Sequence, residues 1–348
     1  MDLQDPVPAT EAEAIAKIEE WYQAGRPLFT RDAMLRVRDQ LREPTPGDRI
    51  RIEGFHGQVH DCRVKTGEIS ENYPIEYNQN GEPTLNREGE LEKWVLKEPR
   101  IRYRSYDSMI DDMQRGYGLS WSYCTITIVH PMERCDLPLE VGDLDAGRQF
   151  FNAALQDWEA SDTWKEIKGT LLSLALRHEI GNIIGMASGT FTASSRSGGS
   201  SRSAVQNAFL VTLKKLLQDS HLGTGHVDCY AQDPAYSQRD QTILAESDIQ
   251  VVEDPDGFLH VDDTSLVFSC APNICVKEVI TDIARPTILI WCAVSDEPPT
   301  LSITDPDSPR VQEMIRTEYD RLPWPEDDGG NFTAMAIYVK KSARTSGT

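Results

Sequence analysis

From residue 180 onward, short apolar runs alternate with stretches whose apolar residues recur at helical spacing. "NIIGMA" reads as a buried strand, "SAVQNAFLVTLKKLLQ" as an amphipathic helix, "HVDCYAQD" as a strand, "SQRDQTILAES" as a helix and "IQVVED" as a strand. After a short polar turn, "SLVFSCAP" is a strand, "ICVKEVITDIA" a helix and "TILIWCAV" a further strand. Strands separated by helices of roughly ten to fifteen residues imply right-handed crossovers and a mainly parallel sheet. The expected fold class is therefore α/β, Rossmann-like and three-layered, with a parallel sheet over residues 180–292 and helices on both faces. "RVQEMIRTEYDRL" reads as one more helix, "FTAMAIYVKK" as a last strand lying antiparallel at an edge, and "SARTSGT" as a frayed tail.

The earlier half has a different rhythm. Thr10 with Glu13 makes a capping-box pattern ahead of "AEAIAKIEEWYQAG", in which Ala14, Ile15, Ile18 and Trp21 or Tyr22 share a helical face. "TRDAMLRVRDQLRE" is a second amphipathic helix, and "DRIRIEGF" and "GQVHDCRVK" are short alternating strands. Residues 68–100 are polar and rich in Asn, Gly, Glu and Pro, the composition of a long surface excursion. A helix is expected at "SYDSMIDDMQRGYG", a strand at "WSYCTITIV" and helices at "DAGRQFFNAALQDWEAS" and "DTWKEIKGTLLSLALRH". In the last of these Trp164, Ile167, Leu171 and Leu174 form a packing stripe. The expected division is an α+β elaboration over 1–150 and a Rossmann-like domain over 151–348 with its core at 178–292.

Composition narrows the functional classes. A formal charge of −21, from 35 basic against 56 acidic residues, disfavours contact with a phosphate backbone, so no direct nucleic-acid partner is expected. No apolar run approaches the roughly 20 residues that span a bilayer, and "MDLQDPVPATEAEA" lacks the basic and apolar parts of a secretory signal. The expected setting is the cytosol or nucleus. Seven cysteines, widely spaced and without a C-x-x-C pair, then read as reduced thiols.

A sheet of this kind places its ligands at the carboxyl ends of its strands. Gly185, Ala187, Ser188 and Gly189 follow the first strand, Asp233, Pro234 and Tyr236 the second, and Cys270, Pro272 and Asn273 the fourth. These are the candidate ligand-binding residues. A dinucleotide fingerprint wants glycine at its first, third and sixth positions, where this chain has Gly185, Ala187 and Thr190. A P-loop lysine is missing, and Ser188 stands three rather than two residues after Gly185, which departs from a nucleophile elbow. The surviving G-x-A-x-G spacing is loosely like the glycine loop of class I methyltransferases, with Asp233 in the place of their ribose-binding acid. S-adenosylmethionine or a dinucleotide is the cofactor this pattern would admit; the other reading is that the glycines serve only a turn. The Ser/Gly-rich "TASSRSGGSSRS" reads as a flexible linker, with Arg196 and Arg202 as candidate anion ligands at a helix N-terminus. His56, His60 and Cys62 lie in strand and turn patterns rather than on a helix, so no metal centre is assigned to them. His178 ends a helix, where an imidazolium favours the dipole.

The segment from about 178 to 292 resembles the Sensitivity to Red Light Reduced domain, in the expanded form of many fungal proteins. The resemblance rests on "IIGMASGTF", "SAVQNAFLVTLKKL", "YAQDPAYSQRDQTILAESDIQVVEDPDGFLHVDDTSLVFSCAPN" and "RPTILIW", and most specifically on Asp233-Pro234 after a strand with Asp240 and Leu244 in the next helix. The opening "AGRPLFTRDAML" is also similar to the fungal members. Plant and animal members tend to carry a Pro-His-Cys type stretch where this chain has Cys270-Ala271-Pro272-Asn273, and a Gly-Asn-Ser type turn where it has Trp291-Cys292-Ala293. The resemblance implies a regulatory protein, with relatives linked to light and circadian signalling, haem biosynthesis and cytoskeletal phenotypes. The leading expectation is a regulatory protein that binds a protein partner or small molecule at the strand ends. The alternatives are an enzyme with a nucleotide-type cofactor cleft, methyltransferase-like or metabolic, and a purely structural interaction protein.

Overall fold

The computed structural model describes residues 8–70, 93–116, 118–135, 143–175, 177–192, 200–219, 227–295, 303–327 and 329–341. It divides into two compact units, Met1–Val141 and Gly142–Thr348. The first unit holds helices α1 (Glu11–Gln23) and α2 (Arg31–Leu41), strands β1 (Arg49–Glu53), β2 (Val59–Arg63), β3 (Ile69–Ser70), β4 (Trp94–Leu96) and β5 (Arg100–Tyr103), helix α3 (Tyr106–Gln114), and strands β6 (Ile126–Val129) and β7 (Met132–Arg134). Among its described residues the strand pairings are all antiparallel: β1 with β2, β3 with β4, β4 with β7, and β5 with β6. Thr10 accepts the Glu13 N–H at 3.2 Å, while the Glu13 carboxylate reaches back to the Ala9 N–H at 2.9 Å, one residue ahead of the reciprocal partner in a capping box. Buried Ala14 and Ile18 on α1 pack with Met109 and Met113 on α3.

The second unit contains α4 (Leu144–Ala160), α5 (Asp162–Ala175), β8 (Asn182–Met186), α6 (Ser201–Asp219), β9 (Asp228–Gln232), α7 (Gln238–Ala245), β10 (Gln250–Val251) and α8 (Asp256–His260). It continues through β11 (Ser265–Ser269), α9 (Val276–Ile283), β12 (Ile288–Cys292), α10 (Pro309–Glu318), β13 (Tyr319–Pro323) and β14 (Met335–Lys340). Seven strands form one sheet in the order β10-β9-β8-β11-β12-β14-β13. The five from β10 to β12 are mutually parallel, as the alternating pattern requires, and β14 and β13 add antiparallel. No helix among the described residues is long and apolar enough to cross a membrane.

Strand register sorts the side chains into rows. Cys229, Ile183, Leu266, Ile288 and Val339 stand opposite one another across five strands, and Ala231, Gly185, Phe268, Ile290 and Ile337 form the next row on the same face. This face packs against α4, α5, α6 and α7 in one apolar core that includes the stripe Trp164, Ile167, Leu171 and Leu174. The alternate residues, Ile184, Met186, Val267, Leu289 and Trp291, are equally buried on the opposite face. There α9 and α10 pack against each other, which completes the three layers.

Gly185 is extended rather than left-handed, and its role is close approach. A Cβ built there would lie 2.3 Å from Leu210 Cδ1 and 3.2 Å from its Cγ, so the missing side chain lets α6 settle directly on β8. That contact also explains why α6 is not amphipathic, contrary to expectation. With the sheet on one side and α4 on the other, it buries Gln206, Asn207, Thr212 and Lys214 along with its apolar residues. Each has a partner: Gln206 Nε2 donates to Asn331 O at 2.8 Å, Trp158 Nε1 to Thr212 Oγ1 at 3.0 Å, and Lys214 Nζ to the Asp248 carboxylate at 2.5 Å.

Other expectations are corrected. The helix expected through "EYDRL" stops at Glu318, because Tyr319–Pro323 pairs with β14 as the edge strand; β14 therefore lies inside the sheet rather than at its edge. In "WSYCTITIV" only Ile126–Val129 is a strand, since residues 119–121 wind into a 3₁₀ turn first. The polar turn after β10 contains a short helix, α8. His178 lies beyond the end of α5, and burial together with the neighbouring charge of Arg177 lowers its pKa, which disfavours the imidazolium expected there. The tail after residue 341 lies outside the described residues.

Gly185→Ala is expected to destabilise the protein by about 1–3 kcal/mol through overpacking against Leu210. In a double-mutant cycle with Leu210→Ala, measured by denaturant unfolding, the two losses should add to less than their sum; strict additivity would contradict the close-approach role.

Candidate functional site

The order of strands locates the site. From β8 the chain crosses to β9 and β10 on one side, then returns to lay β11 and β12 on the other. The loops leaving β8 and β11 thus diverge, and such a switch point, at the carboxyl ends of the strands, is where open α/β sheets hold ligands. The loop after β8 contains Ala187, Ser188 and Gly189, and that after β11 contains Cys270, Ala271, Pro272 and Asn273. Asp233, Pro234 and Tyr236 follow β9, one strand away.

The β8 loop is held by two carboxylates. Ala187 and Gly189 both have positive φ, 57° and 75°, and the strained Ala187 is fixed by its N–H bond to Gln232 O at 2.9 Å. Asp233 Oδ2 accepts the Gly189 N–H at 2.7 Å, while its Oδ1 accepts the Ala235 N–H at 2.8 Å in an Asx turn. Asp240, fully buried at the start of α7, accepts from Phe191 N at 3.1 Å, Thr192 N at 2.9 Å, Ser237 N at 2.7 Å and the hydroxyls of Thr190, Thr192 and Ser237. Burial would raise the Asp240 carboxyl, but these hydrogen bonds outweigh it and hold the pKa below the ordinary range. The Tyr236 phenol is buried and donates to Asn207 Oδ1 at 2.6 Å; burial, aided by Asp233, pushes its pKa well up.

This arrangement bears on the cofactor question. A pyrophosphate cradle presents free backbone N–H groups from the glycine loop, and a ribose-binding acid presents a free carboxylate oxygen. Here the amides of Ala187, Gly189, Phe191 and Thr192 already donate within the chain, and each Asp233 oxygen accepts from a backbone amide. The amides of Ala187, Gly189, Phe191 and Thr192 are therefore not free to cradle a pyrophosphate.

The β11 side is differently built. Cys270 is buried, Ala271 adopts φ 48°, and its N–H donates to the Cys292 sulphur at 3.3 Å. The Thr333 hydroxyl lies 3.8 Å from Cys270 Sγ and 3.2 Å from Cys292 Sγ. Burial raises the Cys270 thiol, opposed by its bonds to Thr333 and by the charge of nearby Arg202. Arg202 and Asn273 are exposed, as is Pro234, whereas Ser188 is buried. Arg196 lies outside the described residues. In the first unit, His56 and His60 are 6.4 Å apart between ring centroids on a turn and a strand, and no group of three metal-ligating side chains occurs among the described residues.

Residues without a sequence signal complete this edge. Asp305 Oδ1 accepts the Lys277 backbone N–H at 2.9 Å and so caps α9 from a distant segment. Buried Lys277 also forms an ion pair with Asp307, and its ammonium interacts with Cys292. Desolvation pushes the Asp305 carboxyl up to about 7 despite Lys277. Lys277 lies in an ordinary amphipathic helix and Asp305 in a Pro/Asp-rich loop, so only the tertiary fold joins them.

Because the folded state raises this pKa, it binds more protons than the unfolded chain between the ordinary carboxylate value and about 7. The associated stabilisation is complete below about pH 4 and is lost as pH rises through about 7. Asp305→Asn should therefore gain stability relative to the native protein between pH 5 and pH 8 in calorimetric melts. A difference that stays constant across that window would contradict the assignment.

Residues 166–317 match the family model of the SRR1 domain. The match begins within α5, ends within α10 and leaves out the antiparallel strands β13 and β14 that finish the sheet. No curated protein matches the chain. Among solved structures, a SAM-dependent O-methyltransferase from Thermotoga maritima is similar at 8% identity, with 86% of this chain and 95% of the other covered and a TM-score of 0.30. A likeness that distant carries neither a cofactor nor a reaction to this chain. The parallel sheet and the family match lead to one identification: the second unit of this chain is built on an SRR1 domain, spanning residues 166–317.

Proposed function

We propose that the chain is a regulatory protein of the cytosol or nucleus that binds a small anionic ligand in the crevice between the β8 and β11 loops. The observation that carries this reading is the divergence of the chain at β8 and β11, which opens the sheet edge beside the exposed Arg202 at the head of α6. Arg202 lies near Cys270, and the N-terminus of α6 brings its positive dipole end to the same place. The β8 loop supports the reading from the other side. With its amides engaged by Asp233 and Asp240, it forms a rigid wall of the crevice rather than a phosphate cradle. An interior setting agrees with the free state of all seven cysteines.

Calorimetric melts with a panel of phosphorylated and carboxylated metabolites, together with S-adenosylmethionine and NAD, test this. A true ligand at about 100 times its Kd stabilises the fold by about 2.7 kcal/mol. At roughly 2–4 °C per kcal/mol for domains of 150–250 residues, the midpoint should rise by several degrees. Arg202→Ala should abolish the shift while leaving the unliganded midpoint unchanged. A shift produced only by S-adenosylmethionine or NAD would instead establish the enzyme alternative, and a shift that survives Arg202→Ala would refute the placement.

A further inference from the structure

We propose that Cys270 and Cys292 are a thiol pair that forms a reversible disulfide at the mouth of the parallel sheet, with a small disulfide of the glutathione class as its oxidant. The proposal stands on strand register and does not depend on the ligand reading above. β11 and β12 are parallel, with Phe268 opposite Ile290, so continuing that register places Cys270 opposite Cys292. Both cysteines pack on the face that carries the apolar rows below them. Neighbouring strands lie about 4.7–4.9 Å apart, within the roughly 4.4–6.8 Å between Cα atoms that a disulfide spans. One hydroxyl, that of exposed Thr333, lies within 3.8 Å of both sulphurs and marks how close they are.

The two thiols are not equivalent. Cys292 is half-buried, more accessible than Cys270, and its sulphur accepts the Ala271 N–H. Cys270 is buried and stands one residue beyond the end of β11. These differences assign the order of events. The Cys292 thiolate attacks one sulphur of the small disulfide, forming a mixed disulfide and releasing one small thiolate. Cys270 then loses its proton and attacks the Cys292 sulphur, which expels the second small thiolate. The protein gives up two electrons and two protons, and the small disulfide becomes two thiols.

Reversibility follows from the same geometry. Facing side chains on parallel strands keep their Cβ atoms near the strand spacing, wider than the roughly 3.5–4.5 Å of a relaxed disulfide. Closing the bridge must therefore pull the β11 loop toward β12, and strain of this kind makes a disulfide easier to reduce. The loop can follow because Cys270 is outside the strand ladder and Ala271 is already in a turn conformation.

The test uses the full native chain, equilibrated in glutathione buffers of increasing oxidised fraction, blocked with N-ethylmaleimide and read by intact mass and peptide mapping. Expected is the loss of two blockable thiols, one cross-link joining Cys270 to Cys292, and full recovery with dithiothreitol. Cys270→Ser should stop at a glutathione adduct on Cys292, and Cys292→Ser should give neither product. The mapping of the native chain stands alone if either variant fails to fold. The proposal is overturned if all seven thiols stay blockable in the most oxidising buffer, if the cross-link joins other cysteines, or if native protein stops at a glutathione adduct.

Discussion

The buried carboxylate of Asp240 sets the geometry of the whole strand-end edge. Taken out of water without partners, a carboxylate at that depth would be neutralised or would unfold its surroundings. Six donors from two separate segments prevent this, three of them backbone amides. The consequence is that the end of the β8 loop and the start of α7 become one rigid corner. Asp233 adds a second tie from the same loop to the β9 turn, and Asn207 links the corner to α6 through Tyr236 and Gly189.

That corner divides the edge into unlike halves. Toward β9, the loop amides are taken by the carboxylates of Asp233 and Asp240. Toward β11 and β12 lie an exposed arginine, two adjacent thiols and a buried lysine with two aspartates. The tied corner and the residues of the proposed site thus lie on opposite sides of one topological switch point.

Much of the sheet was legible in the sequence because buried parallel strands are written as unbroken apolar runs, and "NIIGM", "SLVFS" and "ILIWC" each matched a strand. What failed locally depended on tertiary partners. Tyr319–Pro323 continues a helical pattern and becomes a strand only because β14 offers an edge, and α6 conceals polar residues whose partners come from remote segments. The site was legible in position but not in role. Gly185 belongs to a motif-like spacing, yet its function is set by Leu210; Asp233 stands where a ribose acid would, yet binds its own backbone. Lys277, Asp305 and Thr333 share no motif, and nothing in their spacing announces that they meet.

Site-resolved amide hydrogen exchange tests the central claim, that the β8 loop is a closed corner and not an open cradle, most directly. The account predicts that Gly189, Phe191 and Thr192, whose amides are bound by Asp233 and Asp240, exchange as slowly as the amides within β8 itself. Exchange of these three at the rate of an unprotected loop, with β8 still protected, would contradict it.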